Sequence, residues 1–146
     1  MRSVVKIANT TTTENVNIME RSQKAIDILK PTVKNGVITY PSEHIEQVRF
    51  VAWFRREYPN IRIFAIPNGG GRSKAQAGQL KAEGVSAGVP DLYIPAWKLW
   101  IEMKRQKGGT VSKEQKGWHE YLRSIGDTVL VCKGFEQAKE SVKKIL

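Results

Sequence analysis

Two segments of the sequence carry charge where the surrounding residues argue against it. In "GVPDLYIP", Asp91 opens a run of Leu, Tyr and Ile; in "LWIEMK", Glu102 and Lys104 sit among Leu, Trp, Ile and Met. A charged side chain in such company is costly to bury unless a partner answers it. Two neighbouring carboxylates repel, and each resists ionising beside the other. A divalent cation removes that conflict. Carboxylate oxygens suit Mg²⁺ or Mn²⁺, which keep waters and take substrate phosphate oxygens as further ligands. A cation so held can make a nucleophile of water and stabilise charge on a phosphate, while Lys104 could orient the water or neutralise an oxyanion. The plainer alternative is that Glu-x-Lys on a strand is a solvated face or a local ion pair, and Pro-Asp only a turn. Either motif alone is weak. Together, on adjacent apolar strands of a basic chain, they favour chemistry.

The elements that must hold these residues can be read from periodicity. In "LWIEMK" successive side chains alternate faces, so Leu99, Ile101 and Met103 share one face while Trp100, Glu102 and Lys104 share the other. "PDLYIP" reads as a short preceding strand, and a tight "AWK" connection lets the two pair, bringing Asp91 beside Glu102. Ahead of them, Ser42 caps a helix in "SEHIEQVRFVAWFRREYP". Glu43 and Glu46 lie in its first turns, Ile45, Val48, Ala52 and Arg55 fall on one stripe with Phe50, Trp53 and Phe54 beside it, and Pro59 ends it. "IRIFAIP" reads as a strand and Ser73 to Glu83 as a helix. After the Glu-x-Lys strand come a helix capped by Ser112, the strand "DTVLVC" and a last helix. The order α-β-α-β-β-α-β-α from residue 42 is an α/β layered fold, with a mixed central sheet of about four strands flanked by helices.

The whole chain bounds the rest. Its 146 residues suit one domain, and 40% hydrophobic with 26% charged residues is a globular composition. Residues 1–38 read as an N-terminal extension that need not be fully ordered, with a short helix around Met19 to Leu29; residues 39–146 form the domain. No apolar run reaches membrane-spanning length, and the start lacks the pattern of a secretory signal. Cys132 is the only cysteine, so an internal disulfide is excluded and no Cys or His cluster offers a zinc site. An intracellular, cytoplasmic setting is expected. The net charge of +10 points to a polyanionic partner, nucleic acid first. The glycines of "NGGGRS" match no phosphate-loop pattern, so no nucleotide cofactor is expected.

With these residues in place, the chain resembles a known group. Asp91 followed by Glu102-x-Lys104 looks like the signature of the PD-(D/E)xK nuclease superfamily. The ordered blocks "FAIPNGGGRS", "GVPDLYIP", "WIEMKRQKGG" and "SKEQKGWHEYLRSIGDTVLVC" look like its virus-type replication–repair nuclease (VRR-NUC) domain, over about residues 42 to 140. The resemblance implies a restriction-endonuclease-like core and an Mg²⁺- or Mn²⁺-dependent endonuclease acting on DNA. Asp91, Glu102 and the Met103 carbonyl would hold the metal, with Lys104 the catalytic lysine. A first-helix glutamate, Glu43 or Glu46, would join them; Glu43 is favoured because it stands four residues before Gln47, and it is also a candidate metal ligand. Gln115 matches the glutamine of the following helix. Small members of this group imply a homodimer cutting branched or Holliday-junction DNA in replication, recombination or repair, in a bacterial, phage or prophage setting. Flap, nicking or restriction-type cutting, or non-catalytic DNA binding, are the rivals.

Other residues divide between surface and substrate. Arg72, Lys74, Lys81, Arg105, Lys107 and Lys113 bunch around the motifs and read as phosphate contacts, which position a duplex without reading bases. Asn68 either approaches the DNA backbone or serves turn chemistry. His119, beside Trp118, reads as packing or surface rather than as a general base, and His44 as incidental. Most of the four tryptophans read as core or interface, and Cys132 as a small buried hydrophobe.

Overall fold

A computed structural model describes residues 30–68 and 73–146. The helix expected around Met19 to Leu29 and the triple glycine with Arg72 lie outside those residues. The described elements are β1 (Thr32–Lys34), β2 (Val37–Thr39), α1 (Glu43–Glu57), β3 (Phe64–Ala65), α2 (Lys74–Ala82), β4 (Leu92–Ile94), β5 (Leu99–Lys104), α3 (Lys113–Ser124), β6 (Thr128–Lys133) and α4 (Gly134–Ile145). From residue 42 onward this is the order the sequence implies, and the fold is α/β with a mixed four-stranded sheet flanked by four helices.

Strands β3 to β6 form that sheet in sequence order, antiparallel up to β5 and parallel between β5 and β6. Each junction has a local cause. A short 3₁₀ turn at Pro95–Trp97, with Lys98 left-handed at φ 48°, folds β4 back onto β5. The parallel step to β6 needs a longer crossover, which α3 supplies.

The core lies on one face of the sheet. Leu99, Ile101 and Met103 of β5 pack with Leu92, Ile94 and Cys132, and the layer is closed by Phe50, Trp53 and Phe54 of α1 and by Ala138 and Val142 of α4. Of the residues read along α1, the stripe itself faces outward, with Val48 47% exposed and Ala52 and Arg55 exposed too, while the aromatic residues beside it are buried. Glu46, Phe50, Trp53 and Phe54 form the buried face instead. The aromatic rings carry the larger apolar area and so set the helix rotation.

Two other elements differ from expectation. The strand "IRIFAIP" shrinks to Phe64–Ala65, because its partner β4 offers only three residues and Pro67 has no N–H to donate. Residues 32–39 form an unforeseen hairpin on Asn35 and Gly36, both at positive φ, and the division placed at residue 38 falls inside β2. Asn-Gly between two short β-branched runs is a strong hairpin signal.

Candidate active site

Alternation along β5 carries Glu102 and Lys104 to the face opposite the aromatic core, yet both are buried, at 1% and 7% exposure. There Lys104 Nζ lies 2.9 Å from Glu102 Oε1. The β4–β5 register pairs Leu92 with Ile101, which leaves Asp91 at the strand mouth, where its Oδ2 accepts a 2.8 Å hydrogen bond from the Met103 N–H. Asp91, Glu102 and Lys104 therefore converge, as strand geometry required. Burial raises the pKa of Asp91, with the Met103 N–H and Lys104 opposing and Glu43 adding. Burial likewise pushes Glu102 up to about 7; Lys104 opposes the shift, while Asp91 and Glu43 add to it.

Helix α3 brings further groups to Glu102. Ser112 and Gln115 form a capping box: Ser112 Oγ accepts from the Gln115 N–H, and Gln115 Oε1 accepts from the Ser112 N–H at 2.9 Å. With its carbonyl committed, the Gln115 amide nitrogen faces inward and donates to Glu102 Oε1 at 2.5 Å. The family resemblance marks Gln115 as a site residue; the structure shows what it touches, the carboxylate itself. One turn further, His119 is 4% exposed, and its Nε2 stands 3.8 Å from Glu102 Oε2. Neither of those two atoms has a hydrogen-bond partner. Burial, then Arg123 and Lys104, lowers the His119 pKa. Of the two readings the sequence allows for His119, packing or surface, the burial bears out packing; its spacing of four from Gln115 on a well-capped helix is the signal for its place beside Glu102.

The first helix separates its two glutamates. Glu43 Oε1 accepts from the Arg105 N–H at 3.2 Å, directly after β5. Glu46 is fully buried elsewhere: Oε1 accepts from Gln106 Nε2 at 2.6 Å, Oε2 from the Phe135 N–H at 2.9 Å, and Arg49 lies 3.5 Å from Oε2. Glu46 thus fastens α1 to the start of α4. Gly134 allows this close approach, since a Cβ there would lie 2.6 Å from Gln106 Cγ and φ is +83°. Gly88 plays the same part for the site, as a Cβ would meet the Glu114 backbone at 2.6 Å. Only glycine lets the segment before Asp91 lie against the start of α3.

The Asn68 amide donates one N–H to the Val89 carbonyl, two residues before Asp91, while its buried Oδ1 has no hydrogen-bond partner. Lys74, Arg105, Lys107 and Lys113 are exposed, as is Lys81, which lines a groove with Asn68 and residues 85–87. His44 is exposed. Trp53 is core, Trp97 packs on Phe54 and Tyr58, and Trp100 stacks on Tyr93 while donating to Asp127.

The donor set fits a hard cation that keeps waters. Among the described residues, no three carboxylate, imidazole or thiol side chains form a closed metal cluster. Two carboxylates and a backbone carbonyl leave positions for water and phosphate oxygens, which is how Mg²⁺ is commonly bound. The unpartnered Oε2 of Glu102 is the buried atom such an ion would answer.

No protein-family model and no curated protein matches the sequence. Among solved structures, a "VRR_NUC domain protein" superposes with a TM-score of 0.60 at 25% identity, covering 73% of this chain and 88% of that one. On its sheet order and on this superposition, the chain has the VRR-NUC fold.

Proposed function

We propose that this chain is a nuclease domain: a Mg²⁺- or Mn²⁺-dependent DNA endonuclease, structure-selective for branched or junction DNA and acting as a homodimer. One observation carries the reading. A carboxylate buried to 1% exposure between apolar strands has one oxygen held by Lys104 and Gln115 and the other left without a partner, with Asp91 alongside. A solvated Glu-x-Lys face would not be buried, and a structural ion pair would leave no oxygen unanswered. The fold likeness to the VRR_NUC domain protein and the net charge of +10 support the same choice.

Asp91, Glu102 and the Met103 carbonyl would hold the ion. When bound it supplies a Lewis acid for the phosphate and lowers the pKa of water. The chain's own groups do the rest. The Met103 N–H fixes Asp91, Gln115 fixes Glu102, and Lys104 offers its ammonium to the attacking water or to the developing phosphate charge. Glu43, held by the Arg105 N–H, adds negative charge at the rim. The exposed Lys74, Lys81, Arg105, Lys107 and Lys113 would seat the sugar-phosphate backbone.

Labelled junction, flap and linear duplex, each incubated with Mg²⁺, Mn²⁺ or EDTA, test the proposal. Metal-dependent cutting with junction preferred is expected. Preference for flap or linear duplex would replace the substrate class and leave the chemistry. Binding without cutting under any metal would leave a DNA-binding module. Sizing with and without DNA tests the dimer.

A further inference from the structure

A carboxylate presents about four lone-pair positions, two on each oxygen. On Glu102, Lys104 Nζ at 2.9 Å and Gln115 Nε2 at 2.5 Å occupy those of Oε1. Oε2 and His119 Nε2 face each other at 3.8 Å, both buried and both without a partner. That separation is too long for a hydrogen bond, and a movement of about 1 Å would close it. A neutral imidazole with its proton on Nε2 supplies the donor that Oε2 lacks.

We infer that His119 is a positioning residue for Glu102: its Nε2–H takes one lone pair of Oε2, so that a single lone pair of the carboxylate remains for a cation. Three donors then fix the carboxylate, two of them one turn apart on α3, and the capped helix sets its orientation. Outer partners of this kind hold a metal-binding carboxylate in place and are commonly worth about 10–100-fold in metal affinity. The inference rests on the metal-dependent reading above and assigns to this histidine a role that packing alone does not need.

The test is titration of Mn²⁺ into the full chain without DNA, followed calorimetrically for the wild type, Asp91→Ala, His119→Leu and His119→Gln. Gln places an amide nitrogen near the position of Nε2. Expected are wild-type uptake lost in Asp91→Ala, affinity about tenfold or more weaker in His119→Leu, and most of it restored in His119→Gln. In cleavage, His119→Leu should lower kcat at unchanged KM. Wild-type affinity in a folded His119→Leu would overturn the inference while leaving the nuclease reading standing. Failure of His119→Gln to restore binding would point to direct ligation and overturn it too. Should His119→Leu not fold, His119→Asn replaces it: its amide is too short to reach, so equal affinity in the Asn and Gln variants contradicts the role. No Asp91-dependent uptake by the wild type defeats the nuclease reading, and this inference with it.

Discussion

Among the described residues two glutamates are almost completely buried, and they are buried for different reasons. Glu46 meets a donor on each oxygen, from Gln106 and the Phe135 N–H, with Arg49 beside it. Glu102 meets Lys104 and Gln115 on one oxygen and no hydrogen-bond donor on the other, and its pKa rises to about 7. A buried charge with every lone pair directed at a donor is a fastening. A buried charge left partly unanswered costs stability, and such sites cluster where function requires them. Burial does not separate the two; completeness of hydrogen bonding does.

The sharpest way to break that comparison is to remove groups from each region and read activity and stability together. Asp91→Ala, Glu102→Gln and Lys104→Ala should each lower cleavage by at least about 100-fold, with DNA binding in EDTA nearly unchanged. Near-wild-type cutting by Asp91→Ala would take it out of the site. Glu46→Ala, by contrast, strands the Gln106 amide and the Phe135 N–H. It should cost about 3 kcal/mol, or roughly 6–12 °C in Tm for a chain this size. Glu102→Gln should leave Tm unchanged or raise it, and an equal fall in both variants would erase the distinction.

A smaller effect separates the glutamates of α1 themselves. Glu43→Ala should reduce cleavage while leaving Tm within about 2 °C, since substitutions away from the core are usually within ~0.5 kcal/mol. A Tm loss matching that of Glu46→Ala would make Glu43 structural as well. The subtlest test is pH. In chelator, the raised Glu102 pKa means the native state binds a proton the unfolded chain has released between about 4.5 and about 7. That contribution to stability is fully present below pH 4.5 and disappears as pH rises through 7. Tm of the wild type should therefore fall from pH 5 to 8 more steeply than that of Glu102→Gln; parallel curves would contradict the shift.

Much of this arrangement was legible in the chain. Period-2 alternation placed Glu102 beside Lys104, and the short connection between β4 and β5 placed Asp91 next to them, because strand geometry leaves few options. The helix caps Ser42 and Ser112 were legible by residue type; Ser73 caps too, and Gln76 and Gln115 close capping boxes with Ser73 and Ser112. What escaped depended on tertiary packing. The rotation of α1, and hence which residues it buries, is decided by where three aromatic rings fit. The stripe through Val48 and Arg55 could not show that. His119 escaped because a histidine beside a tryptophan looks like filler until the opposite strand delivers a carboxylate to it. The Asn35-Gly36 hairpin, by contrast, carries its signal in the sequence itself.

The most direct test is diffraction from crystals soaked in Mn²⁺, collected to locate the ion by its anomalous signal. The expected result is a single peak bounded by the Asp91 and Glu102 carboxylates and the Met103 carbonyl, with water completing the shell. Absence of any peak there, with Glu102 Oε2 still unpartnered at saturating Mn²⁺, would contradict the metal site on which the nuclease reading depends.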